Sequence, residues 1–164
     1  MTAPLLVFGW GNVSRGDDAL GPLFVQQMGA LAGSSVGIRV DFLEDYQLQI
    51  EHALDLTGRE RVLFVDASLN CAAPFEVTRL HAARDASFTT HAMSAQSVMQ
   101  VYRELSGMAS PPCTLLAIRG TGFELGESPG RQALINLSQA LVWGQHWLDG
   151  NALLEPLTQQ ASHA

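Results

Sequence analysis

The sequence is poor in the residues on which several protein classes depend. Its two cysteines, Cys71 and Cys113, are far apart and belong to no Cys-x-x-Cys pair. This excludes a disulfide framework and a structural zinc site built from cysteines alone. Lysine and arginine number only nine, against sixteen acidic residues, which disfavours nucleic acid as a partner. No stretch approaches the roughly 20 apolar residues of a membrane span. We expect two reduced, buried thiols and neither a nucleic-acid nor a membrane partner.

The start of the chain also lacks an export signal. Met1–Pro4 has no basic residue, and the apolar run that follows stops at Gly9, so we expect a cytoplasmic protein. A length of 164 residues and a hydrophobic content of 47% are typical of one domain with a substantial core. We place that domain at 1–150. Residues 151–164 lose the apolar period, and we expect a loosely ordered tail there.

Short apolar runs alternate with helical periodicity along the domain. The runs predict strands at Leu5–Gly9, Val36–Leu43, Arg61–Asp66, Phe75–Leu80 and Thr114–Ile118. The periodicity predicts helices at Asp18–Leu31, Leu48–Leu56, Met93–Leu105 and Gly130–Leu148. Charged residues in the run at 75–80 favour an edge strand. The alternation predicts a three-layer α/β/α fold, with a twisted, mostly parallel sheet of about five strands and one antiparallel edge strand.

Three polar residues follow predicted strands, where an α/β sheet binds its ligands. Asp18 lies beyond the first strand, Asp66 closes the third, and His91 precedes a helix. If the first and third strands are neighbours, the two carboxylates flank one crevice, and His91 can enter from the next loop. Two carboxylates and an imidazole can hold a divalent transition metal with open positions. The same three side chains can also act as base and orienting groups without a metal.

Each of these residues has a simpler interpretation. Asp18 can cap the first helix, Asp66 can form a turn, and His91 can be a capping or surface histidine. Sequence spacing does not bring the three together; the assumed strand order does.

Two motifs that are typical of other functions fit this sequence only in part. Gly9 and Gly11 begin a dinucleotide fingerprint, but Ser14 stands where the third glycine belongs. Asp41 or Glu44 can imitate the ribose-binding acid of such a site, so this alternative is weak but open.

The segment Gly126-Glu127-Ser128-Pro129-Gly130 matches G-x-S-x-G. A serine hydrolase needs the N–H of the residue after its serine, and Pro129 has none. The segment instead predicts Ser128 as a helix N-cap with Pro129 at the first helical position. The zincin motif H-E-x-x-H does not occur.

The opening block, Gly9-Trp10-Gly11-Asn12 with Asp17-Asp18 and Gly21, resembles the nickel–iron hydrogenase maturation proteases. Asp66-Ala67 after an apolar strand, and His91 after a Ser/Thr-rich stretch, match later blocks of that family. The resemblance runs from Leu5 to about Leu148. It implies a five-stranded sheet between helices, and an aspartic-type endopeptidase that removes a C-terminal extension from the precursor of a hydrogenase large subunit.

The resemblance also implies the roles of the site residues. The nickel-contacting and catalytic positions of the family fall on Asp18, Asp66 and His91. The nickel is expected to come from the substrate's own metal site, where it is the recognition signal, and not to be held tightly by the resting enzyme. A non-catalytic nickel-binding or chaperone-like maturation factor with the same ligands is the alternative.

The chain departs from the family in one loop. Several members carry a D-G-G-T type loop after the second strand, where this chain has Glu44-Asp45-Tyr46-Gln47-Leu48-Gln49. This version looks like the branch that serves NAD-reducing or related bidirectional hydrogenases.

Overall fold

A computed structural model describes residues 2–32, 39–85 and 93–150. A single five-stranded sheet has the order β2-β1-β3-β5-β4. Its strands are β1 Leu5–Trp10, β2 Val40–Asp45, β3 Arg61–Ser68, β4 Phe75–Leu80 and β5 Cys113–Arg119. All neighbours pair in parallel except β4, which lies antiparallel to β5 at one edge. The predicted sheet, its antiparallel edge strand and the adjacency of the first and third strands are confirmed.

Helices cover both faces of this sheet. The α-helices are α1 Leu20–Ala32, α2 Ala95–Ser106 and α3 Arg131–Leu148, and 3-10 helices form at Gly16–Ala19 and Ile50–Leu56. Alternate residues of β1 point to opposite faces, as a strand requires. Leu5 and Val7 pack with α1 and α3, whereas Leu6 and Phe8 pack with α2 and the second 3-10 helix. The result is the predicted three-layer arrangement.

Several predicted boundaries were wrong, and strand pairing explains two of them. β2 extends to Asp45 because it pairs with the whole of β1, from Leu5 opposite Val40 to Trp10 opposite Asp45. β3 does not end at Asp66; it continues to Ser68 because β5 is long enough to pair with it. The helix predicted at Leu48–Leu56 is a 3-10 helix that begins two residues later.

The remaining predictions concern the cysteines, His91, the chain terminus and membrane spans. Cys71 and Cys113 are buried free thiols, as predicted. His91, the start of the predicted second strand at 36–38 and the predicted tail at 151–164 lie outside the described residues. Within the described ranges, no helix is long and apolar enough to cross a membrane.

The last turn of α3 is fixed at the amino edge of the sheet, where β3 begins. Arg61 donates a hydrogen bond from Nη1 to the carbonyl oxygen of Trp147 at 2.8 Å, and its guanidinium lies 4.5 Å from the centre of the Trp147 ring. The opposite, carboxyl edge is formed by the ends of β1, β2, β3 and β5. Their loops build the candidate site.

Candidate active site at the carboxyl edge of the sheet

The loop after β1 holds Asp18 in place. Gly11 has φ of +151°, and a Cβ atom there would lie 1.9 Å from the main-chain oxygen of Asp18, so this turn requires glycine. The main-chain N–H of Asn12 donates to Asp18 Oδ2 at 2.8 Å. Asp18 lies inside the first 3-10 helix, and its carboxylate is engaged with the preceding loop. It is therefore not the simple helix cap of the alternative interpretation.

A backbone contact between α1 and the sheet sets the position of this loop. A Cβ atom on Gly21 would lie 2.4 Å from the carbonyl oxygen of Trp10 and 2.9 Å from that of Val65. The first turn of α1 therefore rests directly on the ends of β1 and β3. Asp18 precedes Gly21 by three residues, and Asp66 follows Val65. This contact brings the two predicted carboxylates to one place.

The charges of Asp18 and Asp66 interact there. Burial raises the pKa of Asp66 to about 7, the N–H of Ala67 opposes that shift, and the neighbouring charge of Asp18 adds to it. Asp66 is half-buried in β3 and pairs with Ala117 of β5. The two carboxyl groups are therefore neighbours at the carboxyl edge of the sheet, as the strand order predicts. A like-charge pair that shares one proton could not be predicted from the sequence, because such coupling depends on the distance between the side chains in the folded chain.

A carboxyl group with a pKa near 7 can both give and accept a proton at neutral pH. A second carboxylate beside it favours the protonated form of the first. Asp66 is therefore the side chain best suited to general acid–base chemistry here. Asp18 provides a fixed carboxylate that can orient a substrate or contribute an oxygen ligand to a metal.

A metal ion needs more than these two groups. Within the described ranges, no cluster of three or more histidine, cysteine, aspartate or glutamate side chains can hold a metal. His91, the predicted third member, lies outside those ranges, so its place in the site remains a prediction.

Asp17 is a site residue that sequence reasoning missed. Its side chain is only 2% exposed and accepts main-chain N–H groups from Thr121 at 2.8 Å, Gly122 at 3.0 Å and Gly130 at 2.7 Å. Burial alone would raise its pKa, but these three hydrogen bonds leave the pKa below its usual value. Asp17 therefore fastens the loop between β5 and α3 to the 3-10 helix that carries Asp18. The adjacent pair Asp17-Asp18 was the available signal.

His52 supports the loop after β2 and was also missed. Its Nδ1 accepts from the main-chain N–H of Gln49 at 2.8 Å. Because that N–H can only donate, the proton of a neutral ring lies on Nε2, which donates to Asp45 Oδ2 at 2.9 Å. The side chain of Asn12 in turn donates to the hydroxyl of Tyr46 at 2.8 Å. The loops after β1 and β2 are thereby joined.

The structure corrects the interpretation of Ser128. Helix α3 begins at Arg131, its N-cap is Gly130, and no side chain caps it. Asp17 takes the N–H of Gly130 instead, which the local Ser-Pro pattern does not reveal. Ser128 is exposed in the loop before the helix, so the predicted N-cap role was wrong.

The acids considered for a ribose-binding role are engaged elsewhere. Asp41 accepts from Arg59 and from the main-chain N–H of Ala3, at the amino edge of the sheet. Glu44 accepts from the side chain of Gln26 at 3.1 Å. These contacts give the dinucleotide interpretation no support.

Similarity to known proteins is found in the three-dimensional structure and not across the whole sequence. No family model and no curated protein matches the sequence. A NiFe hydrogenase maturation protease, HycI from Thermococcus kodakarensis, superposes with a TM-score of 0.69 at 20% identity, covering 90% of this chain and 93% of that one. The hydrogenase maturating endopeptidase HybD of Escherichia coli gives 0.70 at 18% identity, with the same coverage. A hydrogenase 2 maturation peptidase from a Thaumarchaeota archaeon gives 0.62 at 20%, over 88% and 97%.

These likenesses concern the fold. The chain folds as hydrogenase maturation proteases of known structure do, over most of its length and most of theirs. The resemblance read from the sequence blocks and the structural likeness therefore agree.

Proposed function

We propose that the chain is an endopeptidase of hydrogenase maturation, which removes the C-terminal extension of a nickel-loaded large-subunit precursor. The observation that carries this proposal is the pairing of Asp18 and Asp66 at the carboxyl edge, with the pKa of Asp66 raised to about 7. The fold shared with HycI and HybD supports it. We place the reaction in the cytoplasm, and the loop after β2 suits a precursor of the NAD-reducing or bidirectional type.

In this proposal the carboxylates have separate roles. Asp66, which exchanges a proton near neutral pH, takes one from the water that attacks the scissile bond and returns it to the leaving amine. Asp18, oriented by the N–H of Asn12, contacts the nickel of the substrate together with His91. Nickel seated among the substrate's own ligands does not need a complete binding site in the enzyme. One carboxylate and one imidazole, which leave other positions on the metal open, are enough to recognise it.

The test follows the mass of the precursor. Samples of the enzyme and of the nickel-loaded precursor are treated separately with a chelator, which is then removed. Treated and untreated enzyme are each mixed with treated and untreated precursor. We expect chelator-treated enzyme to shorten loaded precursor, and nickel-free precursor to stay at full length. Cleavage of nickel-free precursor would refute nickel recognition. A metal tightly retained and required by the isolated enzyme would indicate an ordinary metallopeptidase.

Variants separate catalysis from folding. Asp18→Ala, Asp66→Ala and His91→Ala should each leave the precursor uncut while unfolding as cooperatively as the unaltered chain, since Asp18 and Asp66 are only partly buried. An unaltered chain that binds loaded precursor but never shortens it would instead support a nickel-binding maturation factor.

A further inference from the structure

Three exposed apolar side chains belong to loops that hydrogen bonds join to one another near Asp18. Val13, Tyr46 and Leu125 are 58%, 62% and 70% exposed, although each belongs to a different loop. Hydrogen bonds join these loops next to the exposed residues. Asn12 donates to Tyr46, and the N–H of Gly126 donates to the carbonyl oxygen of Ser14 at 2.7 Å. We call Val13, Tyr46 and Leu125 the apolar rim.

Hydrogen bonds to neighbouring segments hold the loops of the rim in place. The loop that carries Leu125 is fastened by the three N–H groups that Asp17 accepts, and by a hydrogen bond from Gly16 to the carbonyl oxygen of Glu127 at 3.0 Å. A surface that is already ordered loses little entropy when a partner binds. Tyrosine with both an exposed ring and a fixed hydroxyl is typical of protein interfaces.

Charge indicates what kind of partner fits. The loop segments 11–18, 44–49 and 121–130 contain one basic residue, Arg15, and six acidic ones. Glu124 and Glu127 are exposed and flank Leu125. Two copies of this edge would repel each other, whereas a segment with lysine or arginine beside apolar side chains is attracted.

We propose that the apolar rim is the docking surface for the protein substrate, and that it takes an apolar, positively charged segment of the precursor. This inference rests on the proposed function, because it names the part of the enzyme that captures the polypeptide before cleavage. The nearby carboxylates then act on a chain that is already held.

The experiment compares two matched pairs of substitutions. Val13→Ser with Leu125→Ser, the rim pair, removes two of the three apolar side chains of the rim. Leu105→Ser with Met108→Ser alters residues that are 68% and 63% exposed. Leu105 lies in the last turn of α2, and Met108 lies between α2 and the start of β5, at the opposite edge of the sheet. Processing rates are measured against precursor concentration. Precursor binding is measured separately in an Asp66→Asn background, where no cleavage is expected.

The rim pair should raise KM about tenfold and weaken binding by a similar factor, with kcat within twofold of the unaltered chain, since two apolar contacts are lost. The control pair should change neither. Glu124→Gln with Glu127→Gln should reduce kcat/KM at low salt and flatten its decline with added salt.

A rim pair with unchanged KM and binding would overturn the proposal, as would an equal effect of the control pair. So would a dimer of the unaltered chain that the rim pair dissolves, because the surface would then serve a second copy. Binding without cleavage, weakened by the rim pair, would uphold the docking surface and refute only the peptidase activity. Absence of both binding and cleavage would refute both.

Discussion

Replacing Asp17 with asparagine tests how firmly the site is held. Asparagine keeps the size of the side chain but turns one oxygen into an NH2 group. Asp17 Oδ1 accepts from Gly130, and Oδ2 accepts from Thr121 and Gly122. In either orientation of the amide, its NH2 group replaces an oxygen that accepts at least one of these N–H groups. That N–H then loses its hydrogen bond to residue 17.

The cost follows from these contacts. Hydrogen bonds to a charged acceptor contribute about 1.5–3 kcal/mol each, and neutral ones about half of that. Asp17→Asn loses one bond and weakens two, while it removes the burial cost of the charge. We expect the free energy of unfolding to fall by about 2–3 kcal/mol at pH 7. Glu51→Gln, an exposed acid, should change it by less than about 0.5 kcal/mol.

Chemical denaturation of the unaltered chain and of Asp17→Asn between pH 2 and pH 8 measures the difference in their free energies of unfolding. The lowered pKa of Asp17 means that its ionised form stabilises the fold above the pKa of the unfolded chain. That contribution is lost as the pH falls through the pKa of the folded state. The gap between the two proteins should therefore be constant from pH 6 to 8 and shrink in acid. A gap below about 0.5 kcal/mol at pH 7, or one that does not shrink, would refute this account.

Three further results are expected. Asp66→Asn should stabilise the metal-free protein at pH 8 by up to roughly 4 kcal/mol. The pKa of the Asp66 carboxyl group is about 7 in the folded chain and 3.8 ordinarily, so this group lowers the stability of the folded state as the pH rises from 4 to 7. Denaturation curves at pH 4.5 and pH 8 that give the same difference between variant and unaltered chain would contradict this. Gly21→Ala should lower the free energy of unfolding by more than about 2 kcal/mol, because its Cβ would lie 2.4 Å from the oxygen of Trp10. A melting temperature equal to that of the unaltered chain would show that the backbone can shift to accommodate the Cβ atom. Ser128→Ala should keep full processing and lose less than about 0.5 kcal/mol, because Gly130 is the N-cap; an inactive but folded variant would revive a serine mechanism.

The sheet and the proximity of Asp18 to Asp66 could be predicted, because the strands have local signals and the strand order follows from them. Buried strands read as short apolar runs, and parallel order follows from alternation with helices. That order places Asp18 near Asp66 once β1 and β3 are neighbours. The ends of β2 and β3 could not be predicted, since the lengths of their partner strands set them.

Asp17 shows why other parts of the site were missed. Its three hydrogen-bond partners are 104 to 113 residues away along the chain. The adjacent pair Asp17-Asp18 marks this position, but the local sequence does not distinguish a buried anchor from an exposed acid. The same contact displaced the predicted N-cap, because the N–H of Gly130 is occupied from that distance. The pKa of Asp66 is equally a property of the assembled edge.

The fixing of α3 at the amino edge has a practical consequence for handling the protein. Arg61 donates a hydrogen bond to the carbonyl oxygen of Trp147 and so attaches the end of α3 to the sheet. The exposed Gln145 therefore has a fixed position near the edge opposite the site. Both native thiols, Cys71 and Cys113, are buried, and burial raises their pKa, for Cys113 to about 11, so maleimide reagents should largely spare them. A cysteine introduced by Gln145→Cys would then tether the chain to a sensor chip, or carry a fluorophore, with the edge that holds Asp18 and Asp66 facing away from the attachment point.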